Sequence, residues 1–260
     1  MHSYLLKYSR SIRSCLTLVL FLTLIFIGSV SAAPADMRVV TDDILEQGKF
    51  GLEFQANIAQ PAVNKSLGKG NVFQEIVEPT YGIAENWEAS LQLPVEQVND
   101  VWYETGLNTE LQYIAPHDET NGFYWGGRSE INFINPVGMP ESWQSEWRTV
   151  LGIRINGWHL VLNPSITVPL TGVDRQMTFE PSAKVVRQID MQTHVGIEYF
   201  VEAGSIAKWL PFQQQYELPM LVVDKKLGKT EINIGVGKGL THSSDGWVVK
   251  TILSLSFDSL

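Results

Sequence analysis

The residues best placed to do chemistry are six charges on three nearby stretches: Glu104 and Glu110, Arg128 and Glu130, Arg148 and Arg154. Within each stretch the two positions are an even number of residues apart, so in an extended chain both side chains project to one face. If neighbouring stretches run up and down, Glu104, Glu130 and Arg148 fall at one level and Glu110, Arg128 and Arg154 at another. Each level then mixes both signs, as an ion-pair lattice across an enclosed interior requires. Such a lattice has two uses. It selects solutes by charge, as charged rings do in pores, or it fills and stiffens the interior. On the remaining stretches the same face carries Glu53, Glu198, Glu202, Glu217 and Glu231 against Lys250, which predicts a weak preference for cations or basic solutes.

Nucleophilic chemistry has one candidate, Thr241-His242-Ser243-Ser244-Asp245. A triad needs converging geometry rather than adjacency, and this run closes on Asp245-Gly246 as a polar hairpin loop would. His117, His159 and His194 show no metal-ligand spacing. Lys65-Ser66-Leu67-Gly68-Lys69-Gly70 contains glycines but precedes a strand pattern, not the helix a phosphate loop opens. The sole cysteine, Cys15, excludes disulfides. No cofactor and no metal are expected.

These side chains must be positioned by strands. The first residues stand apart: Lys7, Arg10 and Arg13 precede an apolar run from Cys15 to Ile27, and Val30-Ser31-Ala32 supplies small residues before a cleavage point. That is the layout of a secretory signal peptide, expected over 1–32. Its removal takes Cys15 and three cations, moving the formal net charge from −9 to −12. An acidic chain is a poor partner for nucleic acid, whose phosphates need a basic surface. Charged residues make up only 18% of the sequence, below the roughly 25% of soluble domains. No later stretch is long and apolar enough for a spanning helix, so a membrane crossing would need closed β-structure.

Residues 33–47 read as a short periplasmic lead-in, and 48–260 as the folded body. From Gly48 onward apolar residues alternate with polar ones: Phe50, Leu52, Phe54, Ala56 and Ile58 in one stretch, and Trp247, Val249, Thr251, Leu253, Leu255 and Phe257 in the last. The pattern predicts about twelve strands, over 49–60, 70–81, 86–95, 102–114, 122–133, 146–156, 158–169, 176–187, 190–202, 213–223, 230–240 and 247–257. Short connections, among them Asn156-Gly157 and Gln188-Ile189, alternate with longer ones at 61–69, 134–145 and 203–212. Aromatics gather near the strand ends. Strands of about ten residues, two aromatic girdles and alternating turn lengths predict an all-β fold, an antiparallel up-and-down transmembrane β-barrel of about 12 strands. A soluble sandwich would have shorter strands and more surface charge.

Two stretches support a resemblance: Glu78-Pro79-Thr80-Tyr81-Gly82-Ile83-Ala84-Glu85-Asn86-Trp87-Glu88, and Gly235-Val236-Gly237-Lys238-Gly239-Leu240 followed by Ser244-Asp245-Gly246-Trp247. In these the chain resembles the outer-membrane barrel family labelled meta-pathway phenol degradation proteins, over residues 48–257. The resemblance implies a transporter-like barrel and carries no catalytic residues. The expectation is an outer-membrane channel passing small hydrophilic or aromatic solutes, not an enzyme. Its partners would be outer-membrane lipid, a small-molecule solute and the barrel-assembly machinery. The alternatives are an outer-membrane lipid hydrolase centred on His242 and a structural or adhesive barrel.

Overall fold

The computed structural model of the protein describes residues 36–62, 71–98, 100–135, 140–172 and 175–257. The predicted leader over 1–32, the glycine-containing stretch 65–70 and Asp258-Ser259-Leu260 lie outside the described residues. The described residues form a single sheet of seventeen strands. In chain order they are β1 (Phe50–Ala59), β2 (Val72–Ala84), β3 (Trp87–Val98), β4 (Val101–Glu104), β5 (Gly106–Ile114), β6 (Gly122–Ile134), β7 (Ser142–Ile155), β8 (Trp158–Asn163), β9 (Ser165–Pro169), β10 (Thr178–Phe179), β11 (Ser182–Asp190), β12 (Thr193–Glu202), β13 (Gly204–Ser205), β14 (Lys208–Trp209), β15 (Tyr216–Leu227), β16 (Thr230–Lys238) and β17 (Trp247–Phe257).

Several of these are pieces of one stave. Pro164, which has no N–H to give a ladder, separates β8 from β9; Thr105 separates β4 from β5; Glu180 and Pro181 separate β10 from β11. β13 and β14 are a small hairpin beyond the end of β12. The staves number twelve and are all antiparallel. Phe50 of β1 stands opposite Tyr81 of β2 and Phe257 of β17, so the sheet closes on itself.

Alternation decides which side is which. Phe54, Ile58, Leu93, Ile131, Trp147, Val185, Ile197, Leu221 and Val249 all point outward and are exposed. An exposed apolar area of this extent, wrapped around a closed barrel, is a wall made for hydrocarbon. Ile197 sits between Val185 and Leu221 in the middle of it. Ile197→Arg is therefore expected to destabilise the barrel in lipid vesicles by about 2–4 kcal/mol, read by urea titration. A loss within error of zero would mean that this face is not lipid-facing.

Aromatic side chains edge the wall. At the end carrying the short turns, Phe50 packs on Tyr81 with ring centroids 4.6 Å apart, and Trp87 on Tyr113 at 4.8 Å. At the end carrying the long loops, Phe133 packs on Trp143 at 5.2 Å, and Lys238 lies 5.4 Å over the Trp247 ring. Rings and long cations of this kind favour the headgroup level.

Turn chemistry fixes the hairpins. Asn156 and Gly157 both have positive φ, at 51° and 78°, as a two-residue connection of this type needs. The turn expected at Gln188-Ile189 is instead Met191-Gln192, because the Asp190 carboxylate accepts the Gln192 N–H at 2.8 Å and lets β11 run on to Asp190. β15 begins at Tyr216 rather than at 213, after a single 3-10 turn over Phe212–Gln214.

Candidate functional site in the barrel interior

Residues 36–47, expected as a lead-in outside the barrel, lie inside it. From Phe50 the chain doubles back at Gln47-Gly48. The Gly48 N–H donates to the Gly82 carbonyl at 2.8 Å, and the Gly82 N–H donates to the Lys49 carbonyl at 3.1 Å. Gly82 is required here, since a β-carbon would collide with the Glu46 carbonyl oxygen. The segment then climbs towards the middle of the barrel. Among the described residues it has no ladder partner, and wall side chains satisfy its backbone. Glu88 accepts the Leu45 N–H at 2.8 Å. Asn163 accepts the Val40 N–H at 2.8 Å and donates to the Val40 carbonyl at 3.0 Å. Arg148 donates to the Arg38 carbonyl at 3.3 Å and Lys250 to the Met37 carbonyl at 2.7 Å. Met37, Val39 and Val40 complete a core with Val150, Val161, Val186, Met220, Val222 and Val248, all from the inner wall. The enclosed interior is therefore partly apolar, where the alternation alone predicts a polar lining.

Five of the six predicted charges meet around this segment. Arg128 is buried and bridges Glu110, Glu130 at 2.7 Å and Asp36 at 3.2 Å. Arg148 pairs with Glu146 at 2.6 Å. Arg154 donates to Asp42 at 2.6 Å. Glu104 does not join them. Asn108 is opposite Gln92 while Glu104 is opposite Val95, a register slip of one residue at Thr105. One residue of slip exchanges the faces, so Glu104 projects outward at the long-loop end and is exposed.

The segment's own charges and several wall residues were not legible in the alternation. Arg38 reaches Glu53 at 3.1 Å, Glu78 at 3.0 Å and Glu110 at 3.6 Å. Glu78 was hidden because β2 turns Ile76 inward and Glu75 outward, breaking the alternation. Lys184, on another poorly alternating stretch, bridges Glu198 at 3.2 Å and Asp224 at 2.8 Å. Glu198 also pairs with Lys250, and Lys226 with Glu231. Lys184 and Lys226 thus place cations beside Glu198, Asp224 and Glu231, pairings that the alternation alone does not predict. The carboxylates of Asp36, Glu110 and Glu130 converge closely enough to share a metal ion, but the Arg128 guanidinium already supplies the cation among them.

At the short-turn end a second cluster fastens the segment. Asp42 meets Arg154, His117 Nε2 at 2.7 Å and His159 at 3.9 Å, and His159 Nε2 lies 2.8 Å from the Tyr124 hydroxyl. The connection over 115–121 is long for its end of the barrel, and its length carries His117 to Asp42. Burial alone would raise the Asp42 carboxyl, but hydrogen bonding and charge from Arg154, with the hydrogen bond from His117, hold it below the ordinary carboxylate value. A depressed carboxyl stabilises the docked form above its undocked pKa and loses that contribution as pH falls through the docked one. Amide protection over 40–45 is therefore expected to be full above about pH 4 and to fall below it, while Asp42→Asn is weakly protected at every pH. Identical pH profiles for the two proteins would refute this.

Beside the segment lies a cavity of about 590 Å³, running from Lys226 and Lys229 at the short-turn end inward to Arg38, Glu198 and Lys250. Towards the long-loop end, Phe200, Tyr216, Leu218 and Val248 pack into the same core. The loop before β17 folds over them. Ser244 accepts the Glu217 N–H at 2.7 Å and lies 2.7 Å from the Thr241 hydroxyl, and Asp245 accepts from Tyr216 at 3.2 Å. His242 turns to Gln213 at 3.1 Å. Thr241, Ser244 and Asp245 thus hold a loop in place, and His242 is bonded elsewhere.

No protein-family model matches the chain, and no curated protein matches its sequence. Solved structures do match its fold. An outer membrane channel from Pseudomonas putida F1 aligns with a TM-score of 0.61 at 10% identity, over 85% of this chain and 100% of that one. The NanC porin aligns at 0.55 and 9% identity, over 80% and 99%. The KdgM porin aligns at 0.52 and 10% identity, over 80% and 99%. At such identities the likeness is one of fold.

Proposed function

We propose that the chain is an outer-membrane channel of a Gram-negative cell, exported with a cleaved leader, and that its own N-terminal segment closes it in the conformation described. The single observation that carries this is a closed barrel with an apolar outer wall and an interior lined in part by charged side chains. Membrane barrels that transport share that organisation, and the porins and channel above share the fold. The short-turn end is then periplasmic, which is the side from which the segment enters.

The interior supports a solute class. It offers the acids and arginines around Arg38 and Arg128, the lysines and acids around Glu198, and, among them, the apolar side chains of Val150, Val161, Val186 and Val222. Small solutes with an apolar body and a polar or charged group suit such a lining. Aromatic solutes, which the resemblance to the meta-pathway barrel family implies, fall in this class.

Conductance across a planar bilayer tests the reading. Arg38→Glu places a carboxylate among Glu53, Glu78 and Glu110, and like charges at this range repel. The wild-type barrel is expected to stay near baseline, and Arg38→Glu to show resolved openings. A variant whose segment is released, by amide exchange, yet stays as silent as the wild type would remove the channel from consideration.

A further inference from the structure

We propose that the inner wall of the barrel is a binding track for an extended peptide, occupied in cis by residues 36–45 and open to a matching chain in trans. The track reads the peptide backbone. Asn163 has no exposed surface and meets both the N–H and the carbonyl of Val40. Lys250 and Arg148 take the carbonyls of Met37 and Arg38, and Glu88 takes the N–H of Leu45. These contacts come from four different staves and would accept any extended chain at those positions, as strand-addition sites do.

Side-chain selection is added by the two walls. Arg38 enters the carboxylates of Glu53, Glu78 and Glu110, while Met37, Val39 and Val40 enter the valine-lined wall. The track thus calls for a cationic residue with apolar residues on both sides. The segment is also separable. Over residues 36–45 it forms no ladder with any described strand and is held by side chains, and the cavity of about 590 Å³ beside it leaves room for exchange.

The test uses the full chain and a fluorescent peptide with the sequence of residues 36–47. Because the readout is binding, it does not rest on whether the barrel conducts. Arg38→Glu is expected to lose amide protection over 37–42 and to take up the peptide at least about tenfold more tightly than the wild type, whose track is filled, a difference of about 1.4 kcal/mol. Adding Asn163→Leu to that chain should abolish the gain, and a peptide that itself carries Arg38→Glu should not bind. Where Arg38→Glu fails to fold, Gly82→Val takes its place with a peptide of residues 36–44, since a β-carbon at 82 collides with the carbonyls of Leu45 and Glu46, which that shorter peptide lacks. Retained protection in a folded variant would overturn the proposal. So would a released segment with no uptake of the peptide.

Discussion

Lys250→Met is expected to destabilise the barrel by about 3–5 kcal/mol, the range for breaking a buried ion pair from one side. Lys250 and Glu198 are each 1% exposed, so the intact pair is shielded from water. Lys184 remains 3.2 Å from Glu198 but is shared with Asp224, and the Met37 carbonyl loses its donor as well. Removing both members tells a different story, because an apolar pair of similar volume leaves no uncompensated charge. Lys250→Met with Glu198→Leu should therefore recover most of the loss. Urea titration of protein refolded into vesicles measures both. A single-variant loss below about 1 kcal/mol, the range of an exposed pair, would show that this pair is hydrated.

Arg128→Met should be comparably severe, for a reason that lies in the register. Glu110 stands opposite Glu130, Glu130 opposite Glu146, and Arg128 opposite Arg148. Like charges directly opposite destabilise a sheet, so this wall is tolerable only through diagonal and same-strand contacts. Arg128 makes most of them, to Glu110, Glu130 and Asp36. Its loss leaves three carboxylates facing each other and is expected to cost about 3–5 kcal/mol, together with amide protection near Asp36. Neutralising two of them, by Glu110→Gln and Glu130→Gln in the same chain, should return most of the stability. If the triple variant is no more stable than Arg128→Met, the acids are not what Arg128 holds apart.

The strands were legible because one physical rule dominates them. A wall with hydrocarbon on one side alternates, and Phe50 to Ile58 or Trp247 to Phe257 could be assigned by counting. The hairpin at Asn156-Gly157 was equally plain, since few residues accept positive φ. What escaped the sequence was set by other causes. The slip at Thr105 that turns Glu104 outward is a property of two paired strands, and neither alone announces it. β2 and β11 place mixed residues on the inner face because part of that face packs against the segment, so Glu78 and Lys184 had no pattern to belong to. The turn after Asp190 did have a signal, an Asp two residues before the N–H it accepts, and reading it would have moved the hairpin to its true place. The segment itself left one trace. Met37, Val39, Val40, Ile44 and Leu45 are too apolar for a tail in water, and the acids predicted on the interior outnumber the bases, an excess that Arg38 narrows.

The partners of residues 36–45 lie far along the chain: Glu88, Arg148, Asn163 and Lys250 hold its backbone, the last of them 213 residues from the atom it contacts. Lys250 belongs to the final strand, the one that zips onto β1. Those partners exist as a set only after that seam has formed. A stretch that precedes every described strand is thus seated after all of them, and its arrival marks a finished barrel: until the seam is sealed, Met37, Val39 and Val40 lack the wall that buries them.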